Sequence, residues 1–441
     1  MQGYKNSGIE WVGSIPSDWK LDKIKYIANL YGRIGWQGLT SEEYIDEGPF
    51  LVTGVDFING KINWNNCVHI SKKRWEQADK IQIKNDDLLI TKDGTVGKVA
   101  IVDKLYGKAS LNSGVLLINL NNENSKKYLY WVLCSDVFWT WFNYKNSGNS
   151  TILHLYQKDF NEFVYALPRK TEQKQIADFI DKKCKKIDSI TSKIEKQIEL
   201  LKDCKKSIIS ETVTKGLDKN VTMKDSGIAW IGDIPKHWDI SRIKYKLSLI
   251  GSGSTPDSSD SLNYDGEFNW IQSGDLYKNY YIQETEKTIT KYALTSTKTL
   301  KMYTAPFVIV AMYGASVGNI AISRIDAYAN QACCSMKGDD SLHTNYLFYL
   351  LRASKEQMLM IAIGGTQPNI SQQLLKNLKI IVPMYDEQLK ITDFLDKKCS
   401  EIDSIISKKE RQLDLMKEHR KSLIYEYMTG KKRVGGVEYG N

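Results

Sequence analysis

KNSGIEWVGSIPSDWKLDKIKY, residues 5–26, returns as KDSGIAWIGDIPKHWDISRIKY, residues 224–245. Ser-Gly-Ile, Trp, Gly, Ile-Pro, Trp and Ile-Lys-Tyr keep identical spacing, from Ser7 to Tyr26 and from Ser226 to Tyr245. A second matched stretch ends each half. Glu172, Gln173, Ile176, Phe179, Asp181, Cys184, Ile187 and Asp188 correspond to Glu387, Gln388, Ile391, Phe394, Asp396, Cys399, Ile402 and Asp403. Between these frames the two interiors diverge widely. A tandem duplication with fixed frames and free interiors points to two recognition units of one architecture reading two different targets.

Composition bounds those targets. The chain has 441 residues and 42% hydrophobic content, enough for a globular core in each half. Its net charge of +9 favours an acidic partner, nucleic acid or an anionic surface. No apolar run has the length of a membrane span, and the start MQGYKNSG does not resemble a signal peptide. The seven Cys include no CxxC pair, so a cytoplasmic protein with reduced, buried thiols is expected.

Residues 1–167 mix short apolar runs with turn signals, then a helical stretch from about Lys126 to Trp141, and close on Phe163-Val-Tyr-Ala-Leu-Pro168. Residues 217–382 repeat the plan, with a helical Tyr346–Ile361 and the run Ile380-Ile-Val-Pro383. Both segments read as α+β domains. After each Pro the period lengthens. Ile180, Ile187, Ile194, Leu201 and Ile208 fall every seven positions, with Ile190 and Cys204 expected in the companion seam. Leu395, Ile402, Lys409, Met416 and Leu423 repeat the pattern, with Ile405 beside them. Such heptads predict two coiled-coil helices, over 168–216 and 383–430, followed by a basic tail over 431–441. Neither helix can bury its stripe alone, so each is the natural partner of the other. Chain order makes that pair antiparallel, with a domain at each end related by a pseudo-twofold, as the strands of duplex DNA are.

The Trp-x-Gly-x-Ile-Pro-x-x-Trp segments carry no titratable chemistry. Trp11, Pro16, Trp19, Trp230, Pro235 and Trp238 read as packing wedges, with base stacking the alternative. The loop Lys92-Asp-Gly-Thr-Val-Gly-Lys98 answers to Tyr313-Gly-Ala-Ser-Val-Gly-Asn319. It is no P-loop, because Lys98 is followed by Val99 and the twin ends in Asn319. A plain hairpin turn and a DNA-facing loop both fit. In the second case small residues allow close backbone approach while Lys92, Thr95, Lys98, Tyr313, Ser316 and Asn319 supply phosphate or base-edge bonds. Two further pairs of loops qualify as readers: Gly32–Gly38 with Gly251–Pro256, and Gly148–His154 with Gly364–Asn369. In the latter pair Thr151, His154, Thr366, Gln367 and Asn369 are the candidate DNA contacts.

Catalytic signatures are missing: there is no Asn/Asp-Pro-Pro-aromatic tetrapeptide, no Walker A, no nuclease Glu/Asp-x-Lys after Pro256-Asp257, and no ligand spacing among the five His. A chain equipped to read DNA without acting on it has the character of a subunit, not an enzyme. A self-contained endonuclease or methyltransferase with a divergent site, and a coiled-coil scaffold binding only proteins, are the alternatives.

The duplicated frame, Gly251-Ser-Gly-Ser-Thr-Pro256, the Gly-rich loops at 94–98 and 314–319, and Pro168-x-x-x-Glu-Gln173 with Pro383-x-x-x-Glu-Gln388 together resemble the specificity subunit of type I restriction-modification enzymes. That resemblance spans essentially the whole chain. It implies two target-recognition domains, each reading one half of an interrupted, asymmetric site in double-stranded DNA, separated by two antiparallel helices. It also implies two modification subunits docked on the helices, with restriction subunits for translocation and cleavage. The subunit would bind no cofactor itself. S-adenosylmethionine, ATP and Mg would belong to its partners. A related system with a fused methyltransferase-nuclease partner stays open. Ile198 and Leu413 are candidates for the partner interface, with the intramolecular seam as the alternative place for both.

Overall fold

The computed structural model describes residues 3–33, 38–147, 153–278, 280–314, 316–360, 362 and 369–435. The chain divides into two compact units, Met1–Glu195 with Arg411–Asn441, and Lys196–Glu410. Each unit therefore takes one globular half together with parts of both long helices, Lys170–Lys215 and Tyr385–Met428.

In the first unit the strands that build and frame the site include β1 (Lys20–Lys23), β2 (Ala28–Gly32), β3 (Tyr44–Val52), β4 (Leu88–Thr91), β5 (Val99–Ile101), β6 (Ala109–Leu111), β7 (Val115–Leu120) and β8 (Val164–Leu167). Between β7 and β8 lie α1 (Lys126–Leu133) and α2 (Asp136–Asn146). One sheet has the antiparallel order β5-β4-β7-β2. A second sheet is built on the parallel pair β3–β6, and β1 pairs with β8. The period-two alternation of β4 and β7 feeds two cores at once. Leu88, Ile90, Leu116 and Ile118 pack with the helices and the frame, while Leu89 and Leu117 pack toward the second sheet.

The second unit repeats this with β9 (Asp239–Arg242), β10 (Leu247–Ser252), β11 (Tyr264–Ile271), β12 (Phe307–Ala311), β13 (Ile320–Ser323), β14 (Tyr328–Ala329), β15 (Cys333–Gly338), α3 (Thr344–Ala353), α4 (Lys355–Met360) and β16 (Lys379–Val382). The sheet order is β13-β12-β15-β10, extended past β13 by Tyr281–Ile282; β11 and β14 are parallel, and β9 pairs with β16. The expected α+β duplication is thus present in the main four-stranded order, the parallel pair and the frame pair, although the interiors share little sequence.

The single helical stretch expected in each interior is two helices. Ser135 and Ser354, both buried, turn their hydroxyls back onto the carbonyls of Val132 (2.6 Å) and Leu351 (3.0 Å). A buried serine that satisfies itself on the preceding turn marks the break in both units.

The duplicated frame proves to be a brace. The indole nitrogens of the buried Trp19 and Trp238 donate to Glu172 (3.2 Å) and Glu387 (3.1 Å). Gln173 accepts from the backbone of Ser125 and donates to the Pro168 carbonyl; Gln388 does the same with His343 and Pro383. The Tyr128 hydroxyl donates to Ala166, and that of Tyr346 to Val213. Gly216 and Gly430 end the long helices with φ +75° and +72°, and a Cβ there would stand 3.1 Å from Trp238 and from Trp19 respectively. These are helix C′ positions, where the left-handed conformation favours glycine. The packing reading of the tryptophans holds, and their polar edges explain the Glu-Gln that opens each helix.

The long helices pack antiparallel within each unit, Phe179 on Tyr427 in the first and Lys205 beside Asp403 in the second. Ile180, Ile187, Ile194, Leu395, Ile402 and Leu423 face inward as expected. The companion column is offset by one residue from the expected one. It runs through Cys184, Ile198, Lys205 and Thr212 in the first helix and Cys399, Ile406 and Tyr427 in the second. Ile405 and Cys204 are exposed instead, so not every thiol is buried. Several members of the true column are polar, which is why the apolar pattern did not mark it.

Candidate nucleic-acid interface

The β4–β5 and β12–β13 hairpins are the same construction in both units. Thr91 N–H donates to Lys98, Gly97 N–H to Thr91, and Lys92 N–H to Gly114. Ala311, Gly318 and Met312 do the same with Asn319, Ala311 and Ala332. A further backbone bond ties each hairpin to the segment entering the end of its domain: Leu155 N–H donates to Lys92 O (2.9 Å) and Ile370 N–H to Met312 O (2.7 Å). The loops are seated on helices through glycine. Gly97 has φ +82° and a Cβ would meet the Trp139 ring at 2.5 Å; Gly318 has φ +73° and a Cβ would meet Leu359 at 3.1 Å. The left-handed backbone at both positions, with the Trp139 ring hard against Gly97, favours glycine there.

On this scaffold the side chains differ. In the first unit Asp93 accepts from Lys92 and contacts His154 Nδ1, both at 2.6 Å. Burial pushes the Asp93 carboxyl up, but the hydrogen bonds from Lys92 and His154 together outweigh it and hold the group below its ordinary range. Thr95 and Lys98 both reach the carbonyl of Gly54, at 3.1 and 3.3 Å, and Lys98 stays exposed. Lys92, Thr95, Lys98 and His154 are therefore gathered into one patch, but Lys92 enters it as the partner of Asp93. In the second unit Tyr313 and Ser316 are half-buried, Asn369 is exposed, and Asn319 accepts from Lys355 (2.7 Å). Burial raises the Tyr313 phenol above its usual value. Thr151, Thr366 and Gln367 lie outside the described residues, as does most of the Gly32–Gly38 turn.

The Gly251–Pro256 turn is packed closely on its own unit: a Cβ on Gly253 would overlap the Ala329 carbonyl at 1.8 Å, and Trp270 donates to Ser254 O. Ile198 is 5% exposed and Leu413 half-buried in the isolated chain, which places Ile198 on the inner face rather than on a free partner surface. The most exposed leucines on the long helices are Leu200 (58%) and Leu415 (60%). Sequence reasoning also missed Tyr156, Lys158 and Lys145, which join His154 around one shallow pocket, with Tyr156 53% exposed. Their alternation of aromatic and basic types was the available signal. No helix among the described residues is long and apolar enough to cross a membrane.

A family model described as the type I restriction modification DNA specificity domain matches residues 16–200 and again 235–415. Over 446 aligned residues the chain is 26% identical to a Methanocaldococcus jannaschii protein assigned as the MjaX type I restriction enzyme specificity subunit, covering 98% of this chain and 99% of that one. It is 25% identical to the MjaVIII specificity subunit of the same organism, covering 100% and 99%. A chain in a structure concerned with complex assembly and conformational transition of the type I R-M system has the same fold, with TM-score 0.74, 15% identity and coverage of 95% and 99%. The HsdS subunit from Thermoanaerobacter tengcongensis follows at TM-score 0.53 and 13% identity, covering 95% and 98%.

Proposed function

The chain belongs to the type I restriction-modification DNA specificity family, as a non-catalytic specificity subunit, and from that premise we propose a divided reader of one interrupted DNA site. The first unit addresses one half-site with the patch around Lys92–Lys98 and His154. The second addresses the other with Tyr313–Asn319 and Asn369. The observation that carries this is one hairpin scaffold, closed by the same backbone bonds in both units, that presents Lys, Asp, Thr and His in one and Tyr, Ser and Asn in the other. A shared frame with exchanged polar side chains is what two different half-sites require, since base edges are told apart by donor and acceptor pattern.

The bound partners in this reading are two modification subunits on the long helices, which supply S-adenosylmethionine chemistry, and restriction subunits supplying ATP- and Mg-dependent work. Exposed Leu200 and Leu415 are the better candidates for that helical docking. The test is methylation mapping by single-molecule sequencing in a host expressing this chain with its methyltransferase. Adenine methylation at one two-part motif, lost without this chain, is the expected result. Methylation unchanged by its removal, with the complex assembled, overturns the assignment of these units as readers.

A further inference from the structure

We propose that the residue just before the shared clamp bond, His154 in the first unit and Asn369 in the second, is the specificity-determining position of each half-site, and that Asp93 positions His154. The inference rests on the divided-reader assignment and names the atoms that discriminate within it.

The two positions are equivalent by main-chain bonding, not by sequence likeness. Leu155 N–H donates to Lys92 O and Ile370 N–H donates to Met312 O, so His154 and Asn369 precede the same clamp bond, while Asp93 and Tyr313 follow its acceptor. The clamp fixes the backbone on both sides, and preorganised groups lose less freedom on binding. What varies between the units is the pair it displays: imidazole with carboxylate in one, carboxamide with phenol in the other.

His154 is restrained further. Its Nδ1 is 2.6 Å from Asp93 Oδ1, and the other Asp93 oxygen takes Lys92 at 2.6 Å. This leaves Nε2 as the ring nitrogen without a partner among the described residues. The imidazole is part-exposed beside Tyr156, with ring centroids 5.8 Å apart, and shares its pocket with Lys145 and Lys158. One nitrogen held by a carboxylate and the other available gives a side chain of fixed orientation and a single outward polar atom. Asn369 offers an acceptor and two donors on an exposed carboxamide, which matches N6 and N7 of adenine. The second half-site therefore contains an adenine read at this position, and the first a base read through one hydrogen bond.

The test uses the complete complex with modification subunits, and binding to duplexes carrying each single base-pair substitution of the mapped motif. Variants are Asn369→Asp and His154→Gln, chosen near in shape, with Asn369→Ala and His154→Ala as second members and co-purification as the assembly check. Asn369→Asp is expected to lower the cognate-to-substituted affinity ratio by about tenfold at one adenine of the second half-site, leaving the first unchanged. His154→Gln does the same at one position of the first half-site. Asp93→Ala is expected to relax that same position, and Asp93→Ala with His154→Ala to be no worse than His154→Ala alone, which a merely structural Asp93 would not give. Ratios unchanged at every position in assembled complexes overturn the proposal while the wild-type two-part motif still stands. A wild-type complex showing no such motif overturns the divided reader itself.

Discussion

Lys205 and Arg420 occupy equivalent places in the two units, each in the companion column of a long helix and each paired with the equivalent aspartate of the other helix. Lys205 meets Asp403 at 2.5 Å and Arg420 meets Asp188 at 3.0 Å. Lys205 is almost wholly buried, and Tyr280 lies 5.1 Å from its ammonium. Removing the carboxylate strands the cation, whereas replacing the cation with an apolar chain of similar length strands nothing, because Asp403 is half in water. Asp403→Ala is expected to lower the denaturation free energy by about 2 kcal/mol, discounted from fully buried pairs for that exposure, and Lys205→Met by less than about 1 kcal/mol. Urea unfolding of both variants checks the order. A second residue-scale effect concerns acid. Hydrogen bonds from Lys23 and Lys25 hold Glu162 at about 2, below its ordinary 4.5. Its contribution is complete above pH 4.5 and is lost as the pH falls toward 2. The difference in melting temperature between Glu162→Gln and the parent chain should accordingly be largest above pH 5 or so and shrink on acidification.

At the scale of elements, the frame strands and long helices were legible because their patterns are local and occur twice. The one-residue error in the companion column has a physical source. Thr191, Lys205 and Thr212 occupy positions that a hydrophobic count skips, yet Lys205 and Thr212 are buried, Lys205 with its aliphatic stem inside and its ammonium on Asp403. The candidate loops could be picked out by their repetition, but the contacts among their side chains could not. Nothing in the spacing of Asp93 and His154 announces that they touch, since the clamp that joins them is a backbone bond between distant segments. Likewise nothing in the Gly251–Pro256 sequence announces that Gly253 lies against β14. The brace gives two predictions. Trp238→Ala should cost about 3–5 kcal/mol, as for other fully buried large-to-small changes. Gly216→Ala should cost about 1–2 kcal/mol from its left-handed backbone alone, more if Trp238 cannot shift. Calorimetry of each variant decides both.

For the whole molecule, each unit combines one globular half with helix from both copies of the repeat. A chain cut after the first long helix, at residue 216, would lack the Arg411–Met428 segment that completes its own unit. It should recover only by pairing two copies, so sedimentation of residues 1–216 is expected to give a dimer, and with modification subunits a palindromic methylation motif. A stable monomer would show that the second helix is dispensable to the unit.

The brace also bears on how such a chain can change. Gln173 and Gln388 hold the interiors of their domains largely by main-chain groups, the N–H of Ser125 and of His343 and the carbonyl of Ser341, with the Asn124 side chain the exception. Main-chain atoms are common to every sequence, so the socket asks little of an insert beyond strand ends that arrive at the right place. Selection can then trade whole inserts as cassettes without renegotiating the contacts that hold them. New DNA targets would come by exchange at the frame, and drift within an insert would be constrained by its own core and by the few side chains, such as Tyr346 and Tyr349, that bond the long helices.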